Sequence, residues 1–117
     1  MNIPQQHVYY VVFVVTAYES LDEALAKAPD MVAAHTARSQ ELHARGTLLM
    51  SGAFLNNPQE PLSAMAVHTT REAAEEYIKG DPFVQNGMVR TWYIREWANL
   101  LASPTRPASD QAEKQNN

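Results

Sequence analysis

Cysteine is absent from the 117-residue chain, which excludes a disulfide frame and any thiolate-bound zinc. Basic residues are also scarce. Nine Lys and Arg face thirteen Asp and Glu, for a net charge of −4, and no cluster forms the positive footprint that nucleic-acid binding needs. A long apolar run is missing as well: the stretch from Val8 to Val15 falls short of the ~20 residues of a membrane-spanning helix. The opening MNIPQQH has neither the basic nor the long apolar region of a signal peptide. A soluble cytoplasmic protein with no nucleic-acid and no membrane partner is therefore expected. Hydrophobic residues make up 45% of the chain and charged ones 19%, a balance that builds a folded core. The length suits one domain.

The most informative stretch runs from Met31 to Phe54. At 100° per residue, Met31, Val32, His35, Ser39 and Leu42 share one helix face, while Ala33, Ala37, Gln40, Glu41 and Ala44 point away. His35 thus sits in the stripe that turns to the core. An imidazole there loses hydration unless something hydrogen-bonds it, and imidazoles titrate near neutral pH. Gly46 suits the left-handed turn that ends helices, and Arg45 stands beside the carbonyl end of the dipole.

Earlier in the chain, VYYVVFVVT (Val8 to Thr16) is β-branched and aromatic on both parities, as in a central strand covered on both faces. Ser20-Leu21-Asp22-Glu23 has the form of a capping box. Pro29 interrupts that first short helix, so Asp30 is expected to cap the longer one. Thr47 to Phe54 reads as a second strand, LNNPQEP (Leu55 to Pro61) as an exposed loop and Leu62 to His68 as a third strand. Thr69, with Glu72, is expected to cap a helix that turns Ala73, Ala74, Tyr77 and Ile78 inward and ends at Gly80. After Asp81-Pro82-Phe83 and a turn at Asn86-Gly87, a last strand runs from Met88 to Trp97. Residues 1–102 form the domain; 103–117, with no large apolar residue, read as a disordered tail.

The order β-α-β-β-α-β defines an α+β, ferredoxin-like fold. Right-handed crossovers put both helices on one sheet face, with the first and third strands central. The other face then lacks a cover, which a second copy of the chain would supply as a homodimer.

Two segments, HTARSQELHARGTLLMSGAF beginning at His35 and YIKGDPFVQNGMV beginning at Tyr77, resemble the YCII-related family of small bacterial proteins. The likeness spans about Val8 to Trp97. It implies a dimeric α/β barrel in which His35 and Asp81 are the active pair. One related enzyme eliminates hydrogen chloride from a chlorinated hydroxyhydroquinone, and muconolactone-processing enzymes share the wider fold. Many members carry an arginine one helical turn before the histidine. Here Met31 and Val32 occupy that place, and Arg38, one turn later, is the arginine available to a ligand.

His35 is then read as a general acid or base and Asp81 as the carboxylate that orients it. The structural alternatives are a core histidine with one hydrogen bond and an aspartate that caps a turn ahead of Pro82. Arg38, Tyr10, Ser51 and Phe83 are the expected substrate-binding residues. His43 stands eight residues beyond His35, whereas helical metal pairs stand four apart, so no metal is expected. His7 and His68 are expected at the surface, and Trp92, Tyr93 and Trp97 in the core or a dimer interface. Ser51 lacks the Gly-x-Ser-x-Gly turn of a nucleophile. The function expected is cofactor-free proton transfer, an elimination or isomerisation, on a small cyclic or aromatic-derived metabolite. A non-catalytic ligand-binding or regulatory module and a cofactor-independent monooxygenase are the alternatives.

Overall fold

A computed structural model describes residues 2–55 and 60–101. The tip of the 55–61 loop and the 103–117 tail, both singled out from composition, lie outside the described residues. A 3₁₀ turn at Gln5–His7 leads into β1 (Val8–Thr16), followed by α1 (Leu21–Lys27), α2 (Pro29–Ala44) and β2 (Leu48–Ala53). Then come β3 (Ser63–His68), α3 (Arg71–Lys79), α4 (Pro82–Gln85) and β4 (Val89–Ala98). The four strands form one antiparallel sheet in the order β2-β3-β1-β4. The first and third strands are central, as the doubly apolar first strand requires. This is an α+β, ferredoxin-like arrangement.

Strand parity divides the core in two. Val12 and Val14 of β1 and Ala66 of β3 pack under α2 and α3 with Leu42, Ala74, Tyr77 and Ile78. On the other face Tyr9, Val11 and Val67 pack with Phe13, Leu49 and Met65. No helix of the described residues is long and apolar enough to cross a membrane.

Three local details differ from the sequence reading. The first short helix does end ahead of Pro29, but the cap of α2 is Ala28 and not Asp30: Pro29 occupies the first turn of α2, where its missing N–H costs nothing, and Asp30 lies inside. The cap of α3 is Thr70, whose side chain accepts from the Ala73 N–H at 3.0 Å. Thr69 still belongs to the sheet, its N–H bonding the Thr47 carbonyl at 3.1 Å, so the helix begins one residue later than expected. His68 is fully buried rather than exposed. It shares the parity of Ala64 and Ala66 on a central strand, and α3 lies over it with the Tyr77 ring 4.8 Å away. His7, half-buried, lies against the Asn99 carbonyl at 3.2 Å.

Candidate active site

α2 and α3 lie side by side over the sheet, and a cavity of about 170 Å³ opens between them and the strands. His35 reaches it from α2, Tyr77 from α3, Asp81 and Phe83 from the α3–α4 junction, and Ser51 and Gly52 from β2. Val14, Val32, Leu62 and Ala64 add apolar wall, and among the described residues no lysine or arginine lines it.

His35 and Asp81 meet there. Nδ1 of the imidazole stands 2.6 Å from Asp81 Oδ1. An ionised carboxylate only accepts, so the contact requires the proton on Nδ1 and leaves Nε2 as the basic nitrogen of the neutral ring. Asp81 is 3% exposed, and a carboxylate so deeply buried needs such a partner. Backbone position makes Asp81 the N-cap of α4, yet its side chain makes no capping bond. Its carbonyl accepts from Gln85 N–H at 3.0 Å, while its carboxylate goes to His35. The turn and the pair thus use different atoms of one residue. The imidazole is held edge-on to Phe83, with ring centres 5.3 Å apart at 81°, and to Tyr77 at 6.3 Å and 72°.

Tyr77 belongs to this wall although its place in the inward stripe of α3 marks it only as core. Burial, then the Asp81 charge, pushes its pKa up to about 12, opposed by the nearby Ser39 hydroxyl and the charge of Arg38. The phenol therefore stays neutral and remains a donor at physiological pH. The available signal was a hydroxyl on a stripe otherwise of Ala and Ile, one helical turn before Asp81. Thr36 and Thr16 also line the cavity. The Thr16 hydroxyl is already occupied: it donates to the Leu62 carbonyl at 2.9 Å and accepts from Tyr18 N–H at 3.2 Å.

Of the six residues expected in the site, His35, Asp81, Ser51 and Phe83 share the cavity wall. Arg38 and Tyr10 are placed elsewhere. Arg38 donates from Nη1 to the Tyr77 carbonyl and from Nη2 to the Glu76 carbonyl, each at 2.7 Å. Tyr10 lies four residues from Val14, roughly 13 Å along the strand, with its ring 5.2 Å from the Arg71 guanidinium. His43 binds the Leu48 carbonyl at 2.9 Å. Among the described residues no group of three or more His, Asp or Glu could hold a metal ion.

A small α+β sheet with a His–Asp pair beneath its helices defines the class. The YCII-related domain model matches residues 10–98, and the chain belongs to that family. Among solved structures it is similar to a 5-chloro-2-hydroxyhydroquinone dehydrochlorinase from Burkholderia phenoliruptrix AC1100, crystallised with 2,5-dihydroxybenzoquinone. That likeness has a TM-score of 0.55 at 16% identity, over 76% of this chain and 92% of that one. A conserved protein from Methanosarcina mazei Go1 is similar with a TM-score of 0.51 at 13% identity, over 82% and 97%. A cofactor-independent oxygenase from Streptomyces nogalater follows at 0.44 and 14%, over 84% and 97%. At these identities the likeness is one of fold. No match is found among curated proteins.

Proposed function

We propose that the chain is a cofactor-free enzyme that moves a proton on a small ring compound, in an elimination or isomerisation. The observation that carries this is the 2.6 Å contact between His35 and a buried Asp81 on the wall of an apolar cavity. In this reading His35 Nε2 takes the proton, and Asp81 holds the tautomer and stabilises the imidazolium that forms. Phe83 and Ser51 contact the ring and its substituent. The size supports a single ring, since a dry cavity of ~150 Å³ accepts benzene. A wall that carries a carboxylate and, among the described residues, no lysine or arginine favours a neutral phenol or enol over a carboxylate of the same size. The quinone bound by the dehydrochlorinase is likewise a single six-membered ring.

The test is titration with 2,5-dihydroxybenzoquinone, hydroquinone and benzoate, followed by the NMR signals of His35, Ser51 and Phe83, with deuterium uptake at ring carbons read in D₂O. Hydroquinone, neutral at pH 7, is expected to move those three signals more than benzoate does, and its ring protons to exchange faster with protein than without. Binding with no exchange would make the chain a ligand-binding module. No movement of the three signals at saturating ligand would remove the site.

We also propose a homodimer through the sheet face away from the helices. That face carries stacked Phe13 and Tyr93, with ring centres 5.1 Å apart, and Tyr9 against Trp97 at 6.0 Å. Tyr93 and Trp97 nevertheless remain 48% and 52% exposed, and Met50, across from Val67, 58%. Trp92 is not part of it: opposite Val14, it has the parity of the helix side. At ~25 cal/mol per Å², covering this face favours association before entropy costs. Sedimentation is expected to give twice the chain mass at micromolar concentration; the mass of one chain would overturn the dimer.

A further inference from the structure

The His35–Asp81 contact joins α2 to the end of α3, and three residues beyond His35 the same helix face sends a second group across. Arg38 forks onto the last turn of α3, with Nη1 on the Tyr77 carbonyl and Nη2 on the Glu76 carbonyl. That turn has a carbonyl to spare. The chain leaves the helix at Asp81, in extended conformation, so the Asp81 N–H reaches the Ile78 carbonyl at 3.3 Å rather than that of Tyr77. The Tyr77 carbonyl is left for an outside donor, and a cation suits the negative end of a helix.

Gly80 makes room for it. Its φ of −94° is open to any residue, so the glycine is not there for its backbone. A Cβ at Gly80 would fall on the guanidinium of Arg38, against Nη2 and Cζ. Glycine leaves the guanidinium the place from which it reaches both carbonyls, and a side chain here would displace it.

We infer that Arg38 and Gly80 form a clamp that positions Asp81 and Tyr77 against His35: Arg38 is a positioning residue for the pair, not a ligand contact. This rests on the pair as the working part of the site. The fork spans Arg38 to Tyr77, and the pair spans His35 to Asp81, so the two bridges tie the same two turns in parallel. With one bridge fixed, the other closes at little entropic cost. Lysine is a poor substitute, because a single ammonium lacks the planar fork that meets two adjacent carbonyls.

The readout is the tautomer of neutral His35 by ¹⁵N NMR at alkaline pH, in Arg38→Met, Arg38→Lys, Gly80→Ala and the double variant Gly80→Ala with Arg38→Met. The wild type is expected in the Nδ1–H form. Arg38→Met and Gly80→Ala are each expected to shift the ratio of forms toward Nε2–H by about tenfold, the loss of one charge-assisted bond. Arg38→Lys falls between. The double variant should match Arg38→Met alone, because the added Cβ acts only through the guanidinium it displaces. A wild-type ratio in Arg38→Met, or effects that add in the double variant, would overturn the clamp and leave the pair standing. If Arg38→Met does not fold, Gly80→Ala and Arg38→Lys carry the same comparison, and wild-type ratios in both overturn it. Nε2–H as the dominant form in the wild type would remove the pair itself and the clamp with it.

Discussion

His35→Ala is expected to bring ring-proton exchange down to the solvent background, a fall of roughly 10²- to 10⁴-fold, the range that one positioned acid–base group supplies. Asp81→Asn is expected to cost a comparable share by a different route. The asparagine keeps the shape but not the charge, and its amide can offer N–H to Nδ1. That favours the Nε2–H tautomer, which buries the basic lone pair away from the cavity. Stability separates the two variants. His35→Ala leaves Asp81, 3% exposed, without the partner that compensates its burial, and about 1–3 kcal/mol of stability should be lost. Asp81→Asn leaves no buried charge and should cost less. Exchange rates in D₂O and urea midpoints on the same samples check both. Unchanged exchange in both variants would show that the pair is structural.

Acid is expected to weaken the fold through a different histidine. His68 is 0% exposed, its Nδ1–H donates to the Tyr10 carbonyl at 3.3 Å, and Nε2 has no partner among the described residues. Burial lowers its pKa from 6.5 to about 4, and bonds with the Tyr10 and Ala66 backbone only partly oppose it. The folded state therefore binds the proton less readily than the unfolded chain. Its contribution is whole above pH 6.5, is lost as pH falls from 6.5 toward 4, and levels off below the folded value. A shift of that size corresponds to roughly 3 kcal/mol. Unfolding free energies from urea titrations at neutral pH and near pH 4 should differ in the wild type by an amount approaching this, and by much less in His68→Gln, which carries no titrating ring. Equal pH dependence in the two would mean that His68 is not the acid-sensitive group.

Periodicity made several features legible. The both-parity run Val8–Thr16 marked a strand with neighbours on both edges, and β1 pairs with β3 and β4. The stripe Met31–Val32–His35–Ser39–Leu42 placed His35 on the inner side of its helix, where the cavity opens. Gly46, with φ of +84°, ends the α2 region as its position suggested. These are local rules, set by the geometry of one element at a time. Composition gave no comparable hold on His68. A histidine at the end of a strand looks solvated until the strand's place in the sheet, and the helix over it, are known.

The roles of individual polar groups were decided only by the tertiary structure. Asp81 before Pro82 fits a turn and a dyad equally well in the sequence, and the 46 positions that separate it from His35 carry no sign of their contact. Arg38 was the available cation for a ligand until the end of α3 arrived within reach of its fork. Tyr77 was one more inward side chain until Asp81 came beside it. By itself the sequence determined which faces are apolar, the order of the main helices and strands, and which side chains carry chemistry. Which of those side chains meet is set by the packing of α2 against α3, because hydrogen bonds act over about 3 Å, and contacts at that range between distant segments exist only once the elements are docked.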